Sequence, residues 1–179
     1  MAEHAAPLVW IDLEMTGLDP ASCHIVQLGM IITNSQLEQL GDPYEVTIWQ
    51  PDAVLDQMSP FVRRMHEKSG LLPQIRASET GLREAEQETM ARITAVAEYR
   101  KAILCGNSIH SDRKFLDAYM PQLSGYLHYR MIDVSGIKEL ARSWYDLEYS
   151  KPELGQHTAL ADIQQSIEEL RFYRSRIFR

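Results

Sequence analysis

Two acidic residues near the start of the chain have the type and spacing to bind a metal ion. Asp12 and Glu14 lie in the apolar stretch LVWIDLEMTGL, which covers residues 8–18. On a strand, side chains two residues apart share a face, with Cα atoms roughly 6.5 Å apart. Hard divalent cations prefer oxygen ligands, and an unpaired buried charge is costly, so a metal site is one interpretation. A strand end that emerges into water with two solvated acids is the alternative.

Two further acids and a histidine come later in the chain. Asp112 is predicted in the first turn of a central helix, and Asp162 in or near the first turn of the last helix, where an acid also complements the helix dipole. His157 precedes Asp162 by five positions, which is about 140° past one full helical turn, so we expect it on the loop before that helix. A loop histidine is usually a surface residue, but its pKa suits a general base.

The elements that must position these residues begin with strands and continue with helices. Apolar runs bounded by turn residues predict strands at residues 8–13, 25–33, 44–49, 102–105 and 129–134. Periodicity and capping residues predict helices at 60–66, 82–99, 112–119, 135–144 and 158–174, with candidate caps at Ser59, Thr80, Ser111 and Ser135, and a loop at 151–156. The close spacing of the first three strands indicates an antiparallel meander. The alternation that follows indicates an α/β fold with a mixed sheet flanked by helices.

Composition limits the class of protein. The 179 residues, 45% of them hydrophobic, are expected to form a single domain over 1–179, and no apolar run is long enough to span a membrane. The first residues, MAEHAAP, do not resemble a signal or transit peptide. Cys23 and Cys105 form neither a metal pattern nor a disulfide framework, so we expect a reducing cytoplasm.

The net charge of −7 disfavours binding of a long nucleic acid. Proteins that bind long nucleic acids through many phosphates usually have a basic face. We therefore expect no long nucleic acid as a stable partner. A short one, held by local contacts and metal ions, is compatible with this charge.

Taken together, the acids and the histidine resemble a known family. An acid pair in the first strand, an acid at the head of a central helix and H-x4-D before the last helix resemble the DEDDh family of 3′-to-5′ exonucleases, which have a ribonuclease H-like fold. The stretches WIDLEMTGLDP, CGNSI, FLDAYMP, HYRMIDVSGIKELARSW and HTALADIQQSIEELRFYR are similar to the oligoribonuclease family within it. The resemblance covers nearly the whole chain.

This resemblance implies an activity and its residues. It implies hydrolysis of very short RNA, above all 5′-phosphorylated dinucleotides, to mononucleotides by a two-metal mechanism with Mg²⁺ or Mn²⁺. The implied metal ligands are Asp12, Glu14, Asp112 and Asp162, and His157 is the implied general base. The implied substrate-binding residues are Ser108, Arg130 and Ser135 around the 5′-phosphate with His66 beside it, Leu18 and Phe61 against the bases, and Tyr129 from a second subunit of a homodimer.

Several of these residues have simpler explanations. Leu18 and Phe61 would usually be core residues, Ser135 could be only a helix cap, and His66 could be a solvated residue at a helix end. Arg130 is harder to explain in this way, because it is predicted inside an apolar strand.

The chain also departs from the family pattern. His110-Ser111 replaces a frequent Gly-Gln, Phe61 replaces a frequent tryptophan, and residues 145–156 form a shorter stretch than usual before His157. Two alternatives remain open: a DEDDh proofreading or repair exonuclease that acts on longer single strands, and a non-catalytic nucleotide-binding protein of the same fold.

Overall fold

A five-stranded mixed sheet forms the centre of the protein. The computed structural model describes residues 6–150 and 158–178. The strands are β1 (Leu8–Met15), β2 (Ile25–Thr33), β3 (Tyr44–Thr47), β4 (Ile103–Gly106) and β5 (Met131–Asp133), in the order β3-β2-β1-β4-β5. β2 pairs antiparallel with β1 and β3, whereas β4 pairs parallel with β1 and β5. The predicted α/β fold, an antiparallel meander followed by parallel strands, is confirmed.

Eight helices accompany the sheet in the described part of the chain. They are α1 (Asp52–Leu55), α2 (Pro60–Ser69), α3 (Leu71–Ala77), α4 (Leu82–Thr94), α5 (His110–Tyr119), α6 (Pro121–Tyr126), α7 (Val134–Tyr145) and α8 (Ala159–Arg176). The short helices α1, α3 and α6 were absent from the sequence prediction, because four to seven residues give too little periodicity to detect. The predicted loop at 151–156 lies outside the described residues.

Helices cover the central strand β1 on both faces. Val9, Ile11 and Leu13 pack in one core cluster that contains residues of α4 and α5. Leu8 and Trp10 pack in the other cluster, which contains residues of α7 and α8. Each fully buried side chain of this size contributes about 1.5–3 kcal/mol to folding. Because side chains alternate along a strand, Asp12 and Glu14 continue the face that α8 covers.

Several element boundaries and caps differ from the prediction. α4 begins after Gly81 rather than Thr80 and ends at Thr94. α5 begins at His110, because Ser111 N–H already donates to the Ser108 carbonyl in a preceding turn. The N-cap of α7 is Asp133, which accepts a hydrogen bond from Ser135 N–H, so the prediction of Ser135 as the cap was wrong. The Ser59 cap of α2 is confirmed.

Candidate active site

The candidate residues gather at one edge of the sheet. Asp12 and Glu14 lie in the last half of β1, Ser108 follows the end of β4, and Asp133 is the last residue of β5. These three strands are parallel, so their carboxyl ends meet at the same edge. This edge is where α/β sheets commonly bind ligands.

Helix α8 brings a third acid to this edge. Asp162 lies in its first turn, and the Thr158 side chain caps the helix by accepting from Ala161 N–H. Side-chain oxygens of Asp12, Glu14 and Asp162 all lie within 4.8 Å of one another, and all three residues are partly buried. Acids so close together repel one another by a few kcal/mol, and a divalent cation would offset this cost. The three carboxylates offer an oxygen donor set that fits Mg²⁺ or Mn²⁺.

A glycine in β2 allows α8 to come this close. Gly29 pairs with Asp12 across the sheet. A Cβ atom on Gly29 would lie 2.8 Å from Ala159 Cβ and 3.1 Å from the Ala159 carbonyl carbon. The first turn of α8, with Asp162, therefore packs directly on the bare backbone opposite Asp12. Gly29 was not predicted from the sequence as a residue of the site, although a glycine inside a mostly apolar strand often marks a close approach of this kind.

Asp112 approaches β1 from the other side of the strand. Its Oδ1 accepts a hydrogen bond of 3.0 Å from Leu13 N–H, beyond Trp10, where the pairing of β1 with β4 ends. Burial raises the pKa of Asp112 to about 7, and the Leu13 hydrogen bond opposes this shift. Asp112 is outside the group of three acids but is hydrogen-bonded to the residue between Asp12 and Glu14. A nearby cation would favour its charged form.

His66 supports the carboxyl end of β1. It is buried, and its Nε2 lies 2.9 Å from the Met15 carbonyl oxygen, which can only accept, so Nε2 carries the proton. The other ring nitrogen, Nδ1, lies 3.9 Å from Glu14 Oε2. Burial lowers the pKa of His66. The alternative of a solvated histidine at a helix end is wrong.

A polar cluster lies beyond β4 and β5. Asp133 Oδ1 accepts from Ser108 N–H at 2.9 Å and from Ser135 N–H at 3.0 Å. The two serine hydroxyl oxygens lie 3.3 Å apart. Ser108 has a φ of 51°, a left-handed conformation that is uncommon for a residue with a side chain. These hydrogen bonds stabilise that conformation and hold the two serines together.

Four predicted substrate-binding residues have exposed side chains. Leu18 is 84% exposed and Phe61 is 70% exposed, so the alternative that they are core residues is wrong. Tyr129 is 70% exposed, and the Arg130 guanidinium lies 5.2 Å from the centre of its ring. Arg130 precedes β5, so its prediction inside an apolar strand was also wrong. His157, the predicted general base, lies outside the described residues.

Sequence comparisons identify the family. The family model described as Exonuclease (RNase_T) matches residues 9–170. Oligoribonuclease of Streptomyces griseus is 48% identical over 174 residues, which cover 96% of this chain and 86% of the relative. Mitochondrial oligoribonuclease of Homo sapiens is 44% identical over 177 residues, 98% of this chain and 75% of the relative. The chain belongs to the oligoribonuclease family. It is a 3′-to-5′ exoribonuclease, a phosphodiester hydrolase.

Solved structures agree with the fold of this oligoribonuclease family member. Exonuclease I of E. coli in a metal-free complex with single-stranded DNA superposes with a TM-score of 0.74 at 16% identity, over 96% of this chain and 40% of that one. Exonuclease I of Methylocaldum szegediense gives a TM-score of 0.70 at 22% identity, over 96% of this chain and 41% of that one. The chain thus spans about two fifths of these larger proteins. Among residues 6–150 and 158–178, no helix is long and apolar enough to cross a membrane.

Proposed function

We propose that this exoribonuclease hydrolyses very short RNA, above all 5′-phosphorylated dinucleotides, to mononucleotides. The observation that carries the proposal is the position of two polar groups at one sheet edge. Asp12, Glu14 and Asp162 form the first group, and the serine cluster after β4 and β5 forms the second. The first group suits a scissile phosphate with its cations, and the second, at the same sheet edge, suits a terminal phosphate.

The carboxylates and His157 would carry the chemistry. Asp12, Glu14, Asp112 and Asp162 would hold two divalent cations, Mg²⁺ or Mn²⁺. When bound, these ions would supply charge stabilisation for both oxygens of an in-line displacement. His157 would take the proton from the attacking water, a role that suits an imidazole near neutral pH.

The substrate-binding residues would determine which length of RNA the enzyme prefers. Ser108, Arg130 and Ser135 would hold the 5′-phosphate, for which the planar guanidinium donors of arginine are well suited. The family resemblance assigns His66 to the same phosphate. Leu18 and Phe61 expose apolar surface on which bases of any sequence could pack.

Tyr129, exposed on the surface, would reach the site of a second subunit, which requires a homodimer. We further propose a single exonuclease domain over residues 1–179. We propose the cytoplasm as the compartment, because Cys23 and Cys105 are free thiols that a reducing environment preserves.

Substitution of the catalytic residues tests the proposed chemistry. We expect His157→Ala to lower the rate on a 5′-phosphorylated dinucleotide with Mn²⁺ at least about 100-fold, the usual contribution of a positioned base, and Asp12→Ala to lower it at least about as much because the cations lose a ligand. Activity of the wild type should vanish with EDTA and return with Mn²⁺. Rates near those of the wild type in either variant would refute the assigned roles. Activity that persists in EDTA would refute the need for a metal.

A further inference from the structure

A chain of hydrogen bonds leads from helix α8 to the serine cluster. The Asn107 side chain, directly after β4, donates through Nδ2 to Ser166 Oγ at 3.0 Å and to Glu169 Oε2 at 3.2 Å. Ser166 and Glu169 are both buried in α8. Because a carboxyl oxygen at this position accepts, the amide nitrogen of Asn107 faces α8. Its carbonyl oxygen Oδ1 therefore faces the sheet edge.

This orientation fixes the direction of the Ser135 hydroxyl. Ser135 Oγ donates to Asn107 Oδ1 at 3.3 Å and accepts from Ser108 N–H at 3.0 Å. A serine hydroxyl has one proton, so in the pair of hydroxyls that lie 3.3 Å apart Ser108 is the donor. The Ser108 hydroxyl proton is the one that can turn toward an incoming anion without loss of the link to α8.

We propose that Asn107 and Glu169 are positioning residues that hold Ser135 and leave the Ser108 hydroxyl to bind the substrate's 5′-phosphate. The two serines then hold the phosphate in different ways: Ser108 donates to it directly, and Ser135 contributes indirectly by anchoring Ser108. This inference rests on the proposed function, because it concerns the phosphate site of the same substrate. It goes beyond it by giving a role to a buried carboxyl group that does not contact the substrate.

A control variant can separate this role from general stability. Glu169 is 1% exposed and Asn107 is partly buried, and 62 positions of sequence separate them. A second buried carboxyl group offers a matched control: Glu86, 6% exposed, accepts from Gln122 N–H and Leu123 N–H at the start of α6. Glu86 stabilises a helix end, whereas Glu169 is linked to the serine cluster.

The test compares one adenosine dinucleotide with and without a 5′-phosphate, as the ratio of the two kcat/KM values with Mn²⁺. We expect Asn107→Ala to lower this ratio about tenfold, mainly through KM of the phosphorylated substrate, with little change for the 5′-hydroxyl substrate. Glu169→Gln replaces a carboxyl group by an amide of the same shape and weakens the acceptor for Asn107, so we expect a loss of a few-fold. Glu86→Gln should leave the ratio at the wild-type value.

Each outcome is decisive. A wild-type ratio near one would overturn both the proposed phosphate preference and this inference. A high wild-type ratio that Glu169→Gln and a folded Asn107→Ala both retain would overturn the inference alone. If Asn107→Ala does not fold, Glu169→Gln decides the matter, because its volume is unchanged. An equal fall in both substrates would indicate a merely structural role and would also overturn the inference.

Discussion

At the scale of single residues, the acids differ in their surroundings. Asp12, Glu14 and Asp162 are partly buried, whereas Asp112 is buried. The spacing of Asp12 and Glu14 was enough to predict that they share a face, because the strand period of two is strict. Burial of Asp112 could not be predicted, since it depends on the packing of α5 against β1. That burial raises the pKa of Asp112, and the raised pKa leads to a testable effect on stability.

We expect Asp112→Asn to stabilise the metal-free protein at neutral and higher pH. The pKa of Asp112 rises from 3.8 to about 7 on folding, so the folded state holds its proton more tightly than the unfolded state. Stability is therefore lost as pH rises from about 4 to about 7. Asparagine avoids this loss and can still accept the Leu13 hydrogen bond.

Thermal unfolding in EDTA measures this effect. The melting temperature of Asp112→Asn should exceed that of the wild type by roughly 3–10 °C at pH 8, with little difference near pH 4. The exposed acid Asp56, paired with Arg63, provides the control, and Asp56→Asn should show no such dependence on pH. A lower melting temperature for Asp112→Asn at pH 8 would contradict the assigned cause.

Two residues that support the site, Gly29 and Asn107, were not predicted from the sequence. Gly29 contributes by having no side chain, and Asn107 contributes through partners 59 and 62 positions away. Neither has the charge that made the acids visible as candidates. A single sequence predicts which side chains carry chemistry more readily than which ones hold them in place.

At the scale of elements, long periodic segments were predicted well and short ones were not. β2 was predicted with its observed bounds, because most of its nine residues are apolar and turn residues follow it. β4 begins and ends one residue later than predicted, and β5 has only three residues. The bounds of these short strands depend on pairing with strands that are distant in the sequence. Such pairing cannot be predicted from the local sequence.

We expect Gly29→Ala to weaken the metal site by displacing α8. The new Cβ would collide with Ala159, whose carbonyl carbon is part of the rigid helix start, and the first turn with Asp162 would have to move. Overpacking of this kind costs about 1–3 kcal/mol. Calorimetric titration with Mn²⁺ should show at least about a tenfold loss of affinity.

The glycine in α6 provides the control for this change. A Cβ on Gly125 would meet no atom within 4 Å, so Gly125→Ala should retain both stability and Mn²⁺ affinity. Wild-type affinity in Gly29→Ala would show that α8 does not depend on the bare backbone of β2.

At the scale of the whole molecule, the proposed site depends on assembly into a dimer. Tyr129 is exposed and its ring stacks on that of His128, with the ring centres 4.5 Å apart. If it serves a second subunit, the protein must be a dimer. Sedimentation at micromolar concentration should give twice the chain mass of 20.6 kDa. A single monomeric species would contradict a site shared between subunits.

The central claim is that four acids and a nearby phosphate site make this exoribonuclease specific for very short RNA. A time course with Mn²⁺ on 5′-labelled RNAs from two to about ten nucleotides tests it most directly. We predict that the dinucleotide is hydrolysed fastest and that the rate falls steeply with each added nucleotide, because Ser108 and Ser135 would bind the terminal 5′-phosphate of a dinucleotide and not that of a longer chain. Equal or faster hydrolysis of the longer RNAs would contradict the account and favour an exonuclease that acts on long single strands.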